Sequence, residues 1–209
     1  MTSQTAILSN ATTSNLSRAG WVCFAGGLLG IAQGAFMLLI QPAVPFERFS
    51  YPLTPTGYVV AELTFAAQHL MLVVGLVALA RSAWAARSRL ARVGYWLATV
   101  ALVLLAVVEV ISLSAANASL TDPEAVLIVS LYGLPTLLAG AGLVLGGAGL
   151  ARSSGLTGWR RWLPLTVGVW VFVPMLPAIF GPYAAGRLAL IGWMALFAAL
   201  GWMIARTEA

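Results

Sequence analysis

The chain has 209 residues, of which 61 % are hydrophobic and only 8 % are charged, and its 11 basic residues outnumber its 6 acidic ones. A soluble domain of this length carries roughly 25 % charged residues, so the composition excludes a soluble globular protein and predicts an integral membrane protein. The single cysteine, Cys23, excludes a disulfide or a cysteine-rich zinc site within one chain.

Six apolar runs follow one another along the chain, and each is long enough to cross a bilayer, which takes about 20 residues. They lie at residues 20–40, 58–80, 94–115, 125–150, 162–181 and 186–205. The sequence therefore predicts an all-α fold, with one integral membrane bundle of six transmembrane helices over residues 18–206. Residues 1–17 are rich in Ser, Thr and Asn and are predicted to form a disordered cytoplasmic tail, and residues 207–209 a short C-terminal tail.

The basic residues other than His69 are all arginines, and they are divided unevenly between the two sides of the predicted bundle. Only Arg48 and Arg187 lie on one side. The other side holds nine: Arg18, Arg81, Arg87, Arg89, Arg92, Arg152, Arg160, Arg161 and Arg206. This asymmetry predicts that both termini are cytoplasmic. It also explains the excess of basic over acidic residues by contact with membrane lipids, so no nucleic-acid partner is needed. The absence of lysine fits a GC-rich bacterial genome and hence the bacterial cytoplasmic (inner) membrane.

The first span carries three glycines, Gly26, Gly30 and Gly34, spaced four residues apart so that they form one strip of the helix. Such a strip lets another helix backbone approach closely. That backbone belongs either to the same chain or, as the alternative, to a second copy in a homo-oligomer. The loop that follows, residues 41–57, carries aromatic residues that suit the headgroup level of the membrane or the roof of a cavity.

Polar side chains in the second and third spans carry the main functional signal. Glu62 and His69 are seven residues apart and share one helix face. At about 1.5 Å per residue, they lie roughly 6 Å and 16 Å from the outer end of span two, and Glu109 lies roughly 9 Å from the outer end of span three. Gln33 on span one and Tyr132 on span four have comparable depth. The matching depths predict one pocket in the outer half of the membrane.

Structural roles remain open for some of these residues. Glu62 lies close enough to the helix end to snorkel to the headgroups, and a lone His within a span can be neutral and bonded to a neighbour. Glu109 and His69 lie deeper, where a charged residue costs several kcal/mol unless it faces the bundle. The depth of Glu109 and His69 therefore favours a shared pocket over purely structural roles.

The last two spans supply a proline break and many aromatic rings. Pro174 and Pro177 are expected to kink or break span five near its outer end, which frees backbone carbonyls for other partners. Trp170, Phe172 and Trp193 are predicted to bind substrate. Gln33 and Tyr132 complete this predicted binding set.

Several chemistries are incompatible with these residues. Asp122 is the only Asp, so no Asp-rich pair can hold Mg²⁺ and a diphosphate, and one His cannot ligate haem on both sides. The glycines lie within helices and form no phosphate-cradling loop. We therefore expect no metal and no cofactor.

Two classes of function remain. In the first, Glu62 is the acid of an enzyme and protonates an alkene or epoxide of a lipophilic substrate. Aromatic faces then stabilise the cation, and His69 or Glu109 removes the final proton. An ion pair between Arg187 and Glu62 would keep the acid ionised and exclude this role.

In the second class, the same Glu and His residues carry protons in a small transporter or bind a solute. A conformational cycle normally needs a path to the inner side, where the sequence offers few polar groups, and this favours the enzyme. An accessory or assembly role in the membrane is the third alternative.

The chain is small and all-helical, carries an acid in an early helix, Glu62, and has no metal motif. In these general features it resembles the integral membrane terpene cyclases, which cyclise prenylated natural products by protonation. The resemblance extends loosely over the whole chain and implies an isomerase of natural product biosynthesis, acting on an isoprenoid-bearing substrate. The chain departs from the fungal members, which have seven helices and a second acid late in the chain. Spans five and six contain no acid, so the resemblance requires Glu109 to serve instead.

Overall fold

The computed structural model describes residues 2–153 and 156–206, with side chains described from residue 15 onwards, and this part of the chain is helical without strands. Eight α-helices form: α1 (Thr2–Leu39), α2 (Pro55–Arg81), α3 (Ala83–Ala86), α4 (Arg89–Ser112), α5 (Pro123–Ser153), α6 (Leu163–Trp170), α7 (Leu176–Ile179) and α8 (Tyr183–Arg206). A π-helical turn, Val171–Met175, joins α6 to α7.

Five of the helical segments in the described ranges are long and apolar enough to cross a membrane, as expected for a membrane protein. They are Asn15–Leu39, Pro55–Arg81, Arg89–Ala115, Pro123–Ser153 and Tyr183–Arg206. The sixth predicted span corresponds to a shorter apolar segment, Leu163–Ile179. The all-α prediction is therefore confirmed, whereas the count of six crossings and the cytoplasmic termini stay predictions.

The N-terminal segment has a helical backbone that begins at Thr2, where the sequence predicted a disordered tail over residues 1–17. The long apolar helix that follows can extend this segment, since adding a residue to an existing helix costs far less than starting one. The division of the chain into tails and a membrane domain stays a prediction, and residues 207–209 lie outside the described residues.

Local signals explain where several helices begin. Thr54 caps α2, because its hydroxyl accepts a hydrogen bond from the Gly57 N–H at 3.1 Å, and Pro55 follows as the first helical residue. Ser88 caps α4 in the same way, with the Ala91 N–H donating at 3.2 Å. Pro174 lies inside the π-helical turn, so the expected disturbance of span five occurs there as a change of helix type, and the backbone stays helical through Ile179.

The six apolar segments form a closed ring in chain order. α1 packs against α2, α2 against α4, α4 against α5 and α5 against α6, and α8 closes the ring by packing against both α6 and α1. We call the end formed by residues 40–54, 116–122 and 180–182 the loop end. The opposite end, where α2, α5 and α8 finish with arginines, is the arginine end.

Glycines permit close backbone contacts in this ring. A Cβ on Gly30 would lie 2.5 Å from the Met194 side chain of α8, and one on Gly26 would lie 2.9 Å from Met71 of α2. Gly34 is buried against α8 as well. The predicted strip therefore faces helices of the same chain, and a homo-oligomer through these glycines stays a prediction.

Candidate functional site

A cavity of about 430 Å³ lies within the ring, towards its loop end. Its volume falls within the range of about 300–1,000 Å³ that is usual for small-molecule sites. All six apolar segments contribute to its wall. The wall is mainly apolar, and its larger apolar side chains are Phe49, Phe65, Leu105, Met175, Ile179, Leu190, Trp193 and Met194.

Two carboxyl groups and one phenol meet on one side of this cavity. The Tyr132 hydroxyl oxygen lies 2.6 Å from Glu109 Oε2 and 2.9 Å from Glu62 Oε2. Ser112 Oγ lies 3.1 Å from the same Glu62 oxygen. Glu62, Glu109 and Ser112 are buried, so these groups interact with one another in a largely apolar surrounding. A carboxyl–phenol–carboxyl bridge of this kind can hold and move a proton.

Two further side chains extend the polar cluster in opposite directions. The Tyr58 hydroxyl donates to Ser112 Oγ at 3.0 Å. His69 Nδ1 lies 3.5 Å from Glu109 Oε1. The result is a line of six polar side chains on three helices: Tyr58, Ser112, Glu62, Tyr132, Glu109 and His69.

Helix periodicity explains why these groups meet. Glu62 lies four residues after Tyr58 and seven before His69 on α2, so the three point to one side. Tyr132 reaches the cluster from α5, one turn before Thr136, whose hydroxyl donates to the Tyr132 carbonyl at 2.7 Å. Helix spacing thus places three polar residues of α2, two of α4 and one of α5 on the same side of the ring.

The structure brings together five of the eight residues that the sequence selected. Glu62, His69, Glu109, Tyr132 and Trp193 all line the cavity. Their roles in catalysis or binding stay predictions.

The other three selected residues, Gln33, Trp170 and Phe172, are not among the cavity-lining residues. Gln33 directs its amide towards the Ala61 carbonyl at 3.5 Å. The Trp170 indole N–H donates to the Ala189 carbonyl at 2.9 Å, so its ring packs between helices.

Three polar residues of this region were not selected from the sequence, namely Ser112, Tyr58 and Gln68. Ser112 follows Glu109 by three residues and Tyr58 precedes Glu62 by four, so helix spacing alone signals both. Gln68 is buried and lines the cavity, with its amide nitrogen 2.9 Å from the sulfur of Met194.

Arg187 lines the cavity near the loop end, and its guanidinium lies 5.1 Å from the centre of the Tyr183 ring. In the described ranges, the acid–base side-chain pair within 4.0 Å is His69 with Glu109. The ion pair of Arg187 with Glu62, which would exclude an acid role for Glu62, is therefore not formed there.

Among residues 15–153 and 156–206, whose side chains the structure describes, no group of three His, Cys, Asp or Glu residues is close enough to hold a metal ion. No family model, characterised protein or solved structure matches this chain.

Proposed function

We propose that this protein is an intramembrane enzyme that protonates an alkene of a lipophilic isoprenoid substrate and so isomerises it by cyclisation. The observation that carries this proposal is the pair of buried carboxyl groups bridged by one phenol at the wall of an apolar cavity. Such a pair supplies an acid and a base at once, and the apolar wall suits a hydrocarbon substrate.

The proposal includes the membrane arrangement. Six segments cross the cytoplasmic membrane of a bacterium, with the arginine end and both termini in the cytoplasm. The ring of six neighbouring segments and the arginines that finish α2, α5 and α8 support this orientation. The cavity then lies in the outer half of the membrane.

Glu62 and Glu109 can be assigned as acid and base from the single hydroxyl proton of Tyr132 and from the distances around it. Tyr132 has one hydroxyl proton and two carboxyl neighbours, so it can donate to only one of them. Its distance to Glu109, 2.6 Å, is typical of a hydroxyl that donates to a carboxylate, whereas 2.9 Å to Glu62 is longer. Ser112 has a shorter contact, 2.7 Å, with the Glu109 carbonyl than with Glu62. Glu62 is then the protonated acid, and Glu109 is the base.

The reaction balances without a co-reactant. Glu62 transfers its proton to one carbon of a substrate double bond, and the other carbon becomes a cation. A second double bond of the same chain attacks this cation and closes a ring. Glu109 removes a proton from the carbon beside the new cation, and a double bond forms again. Tyr132 passes this proton back to Glu62, so the product is an isomer of the substrate.

The aromatic wall supports the cationic step. Trp193 is 2 % exposed and lines the cavity, and its indole N–H is fixed by a bond to the Val167 carbonyl at 3.1 Å. Phe49 and Phe65 line the same space. The face of an aromatic ring attracts a cation by roughly 0.5–2 kcal/mol, and these rings carry no nucleophile that would capture it.

A proton-coupled transporter is the second candidate, because the same line of polar groups could relay protons. A transporter also needs a path towards the arginine end. That half of the ring is filled by fully buried leucines, namely Leu72, Leu76, Leu102, Leu143 and Leu200. Because this half of the ring is filled, the enzyme is favoured over the transporter.

Glu62→Gln provides the test, with Glu124→Gln as the matched control on the first turn of α5, outside the cavity. Each protein is reconstituted in liposomes with isoprenoid lipids, and products are separated by chromatography and analysed by mass spectrometry for isomers of the substrate. We expect Glu62→Gln to lose at least about 10²-fold in rate and Glu124→Gln to match the wild type. Thermal melts establish that both variants fold.

Equal rates for Glu62→Gln and the wild type would remove Glu62 as the acid. If the wild type converts no isoprenoid but takes up a solute with protons, the transporter replaces the enzyme.

A further inference from the structure

One face of α5 packs closely against the following apolar segment, but only in the half nearer the arginine end. A Cβ on Gly140 would lie 2.9 Å from Val171, and Gly147 is in even closer contact with the Leu165 backbone. Val144 lies on the same face and packs against Gly168. The two segments therefore touch along two turns of α5.

The same face of α5 is uncovered in the half nearer the loop end. Val126, Val129, Gly133 and Leu137 continue the spacing of three and four residues that Gly140, Val144 and Gly147 follow. Val126 and Val129 are 52 % and 57 % exposed, and no atom lies within 4 Å of a Cβ built on Gly133. The two segments therefore diverge towards the loop end.

A π-helical turn with a proline in the neighbouring segment explains the divergence. The π-helical turn Val171–Met175 contains Pro174, and α7 begins beyond it with Leu176. Proline in a helix removes a backbone hydrogen bond and bends the axis. Met175 and Ile179 form the wall of the cavity on this side, and Ile179 remains 47 % exposed.

We call the space between the loop-end halves of α5 and α7 the gap. The α5 side of this gap also forms part of the cavity wall. Val129, Tyr132 and Thr136 of α5 line it, and Val129 is both a lining residue and an exposed one. The gap between α5 and α7 thus leads from the side of the ring to the phenol that bridges the two carboxyl groups.

The loop end is covered by an aromatic roof formed by Phe49, Tyr51 and Tyr183. Tyr51 and Tyr183 meet edge to face with ring centres 5.2 Å apart, and Phe49 packs against Tyr58. The loop is held down by the Phe49 N–H, which donates to the Ala118 carbonyl at 3.0 Å. The roof covers part of the loop end, where the exposed Pro182 also lines the cavity. On the side, Val129 and Ile179 both line the cavity and are exposed.

We propose that the cavity is loaded sideways from the membrane through the gap between α5 and α7, and that its ligand is an uncharged long-chain lipid that resides in the bilayer. The inference rests on the proposed function for the chemistry performed inside, but the route of entry concerns binding alone. The occupant follows from the surroundings of the gap, because Val129 and Ile179 are apolar and lie on apolar segments of the ring. Val129 lies six residues after Pro123, which places it about 9 Å along α5.

Photolabelling tests the route without an activity assay. The wild type, Val129→Trp and Val100→Trp are reconstituted in liposomes that contain a long-chain alcohol with a diazirine group on its chain. Val100 is a matched control, since it is 55 % exposed on α4 and is not a cavity-lining residue. After illumination, mass spectrometry locates the label on the peptides of the chain.

We expect label on cavity residues of the wild type and of Val100→Trp, and at least a fivefold loss of that label in Val129→Trp, while label on outward-facing residues is unchanged. Equal cavity labelling in all three proteins would overturn the side entrance, even if Glu62→Gln still abolishes turnover. Cavity labelling by a small water-soluble diazirine but not by the long-chain alcohol would also overturn it. Cross-links between two copies at Val129 would instead assign the uncovered face to a second chain.

Discussion

The phenol that bridges the two carboxyl groups can be removed without changing the shape of the site. Tyr132→Phe keeps the ring and deletes the hydroxyl that lies 2.6 Å from Glu109 and 2.9 Å from Glu62. We expect the variant to fold and to lose stability, because two buried carboxyl groups then lose a shared partner. Turnover is expected to fall as well, since the direct proton path from Glu109 back to Glu62 is interrupted.

The size of the stability loss can be worked from these two contacts. Hydrogen bonds between membrane helices contribute about 0.6 kcal/mol on average and up to about 1.7 kcal/mol, and bonds to charged groups contribute about 1.5–3 kcal/mol in proteins generally. One ordinary bond between membrane helices and one bond to a charged group together give about 2–5 kcal/mol for Tyr132→Phe.

Tyr95→Phe is the matched control. The Tyr95 hydroxyl is buried and has no hydrogen-bond partner among the described residues, so its removal relieves an unsatisfied polar group and is expected to be neutral or stabilising. Unfolding free energies are measured for both variants and the wild type by denaturant titration in detergent micelles. Equal losses for Tyr95→Phe and Tyr132→Phe would refute the view that the phenol bridge is a specific interaction.

Two other predictions concern packing and the aromatic wall. Gly27→Ala places a Cβ 2.5 Å from the Ala198 nitrogen of α8, and we expect it to lower the free energy of unfolding by about 1–3 kcal/mol. Gly133→Ala meets open space and should raise the free energy of unfolding by up to about 1 kcal/mol through helix propensity. Similar melting temperatures for the two variants would contradict this. Trp193→Leu should change the product distribution in the isoprenoid assay, and Trp170→Leu should not, because only Trp193 lines the cavity. Identical product spectra for both variants would argue that the Trp193 ring only fills space.

The orientation of the chain is also testable with single cysteines in a Cys23→Ser background. Asn117 and Ala86 are exposed in the connections at the loop end and the arginine end, respectively. An impermeant thiol reagent added to intact cells is expected to label Asn117→Cys and not Ala86→Cys. The reverse pattern would invert the proposed topology.

The sequence predicted the acidic cluster because depth along a helix is easily counted. Charged residues deep in an apolar span are costly unless they face the bundle, so Glu109 and His69 had to point inwards. Glu62 shares a face with His69, and all three line one cavity. The length and composition of the apolar runs were likewise sufficient to predict the long helices.

The faces of the apolar helices could not be predicted in the same way. In a membrane both the lipid and the interior are apolar, so an apolar side chain does not reveal which of the two it contacts. Trp170 and Phe172 were therefore assigned to the cavity by residue type, although the Trp170 ring packs between helices. The glycine strip of α1 faces α2 and α8, which leaves Gln33 off the wall of the cavity.

Close packing at the arginine end positions the polar cluster at the loop end. Glu62 is on α2, Glu109 on α4 and Tyr132 on α5, so the distances between them depend on how these helices are held relative to one another. Gly94 of α4 is in direct contact with the Gly146 backbone of α5, and a contact between two glycines leaves little freedom for either helix to slide. One half of the ring thus fixes the positions of the carboxyl and phenol groups, and the other half contains the cavity. A bulkier residue at Gly94 should therefore impair turnover although no atom of it approaches the cavity, and unchanged kinetics in a folded Gly94→Ala variant would show that the two halves are independent.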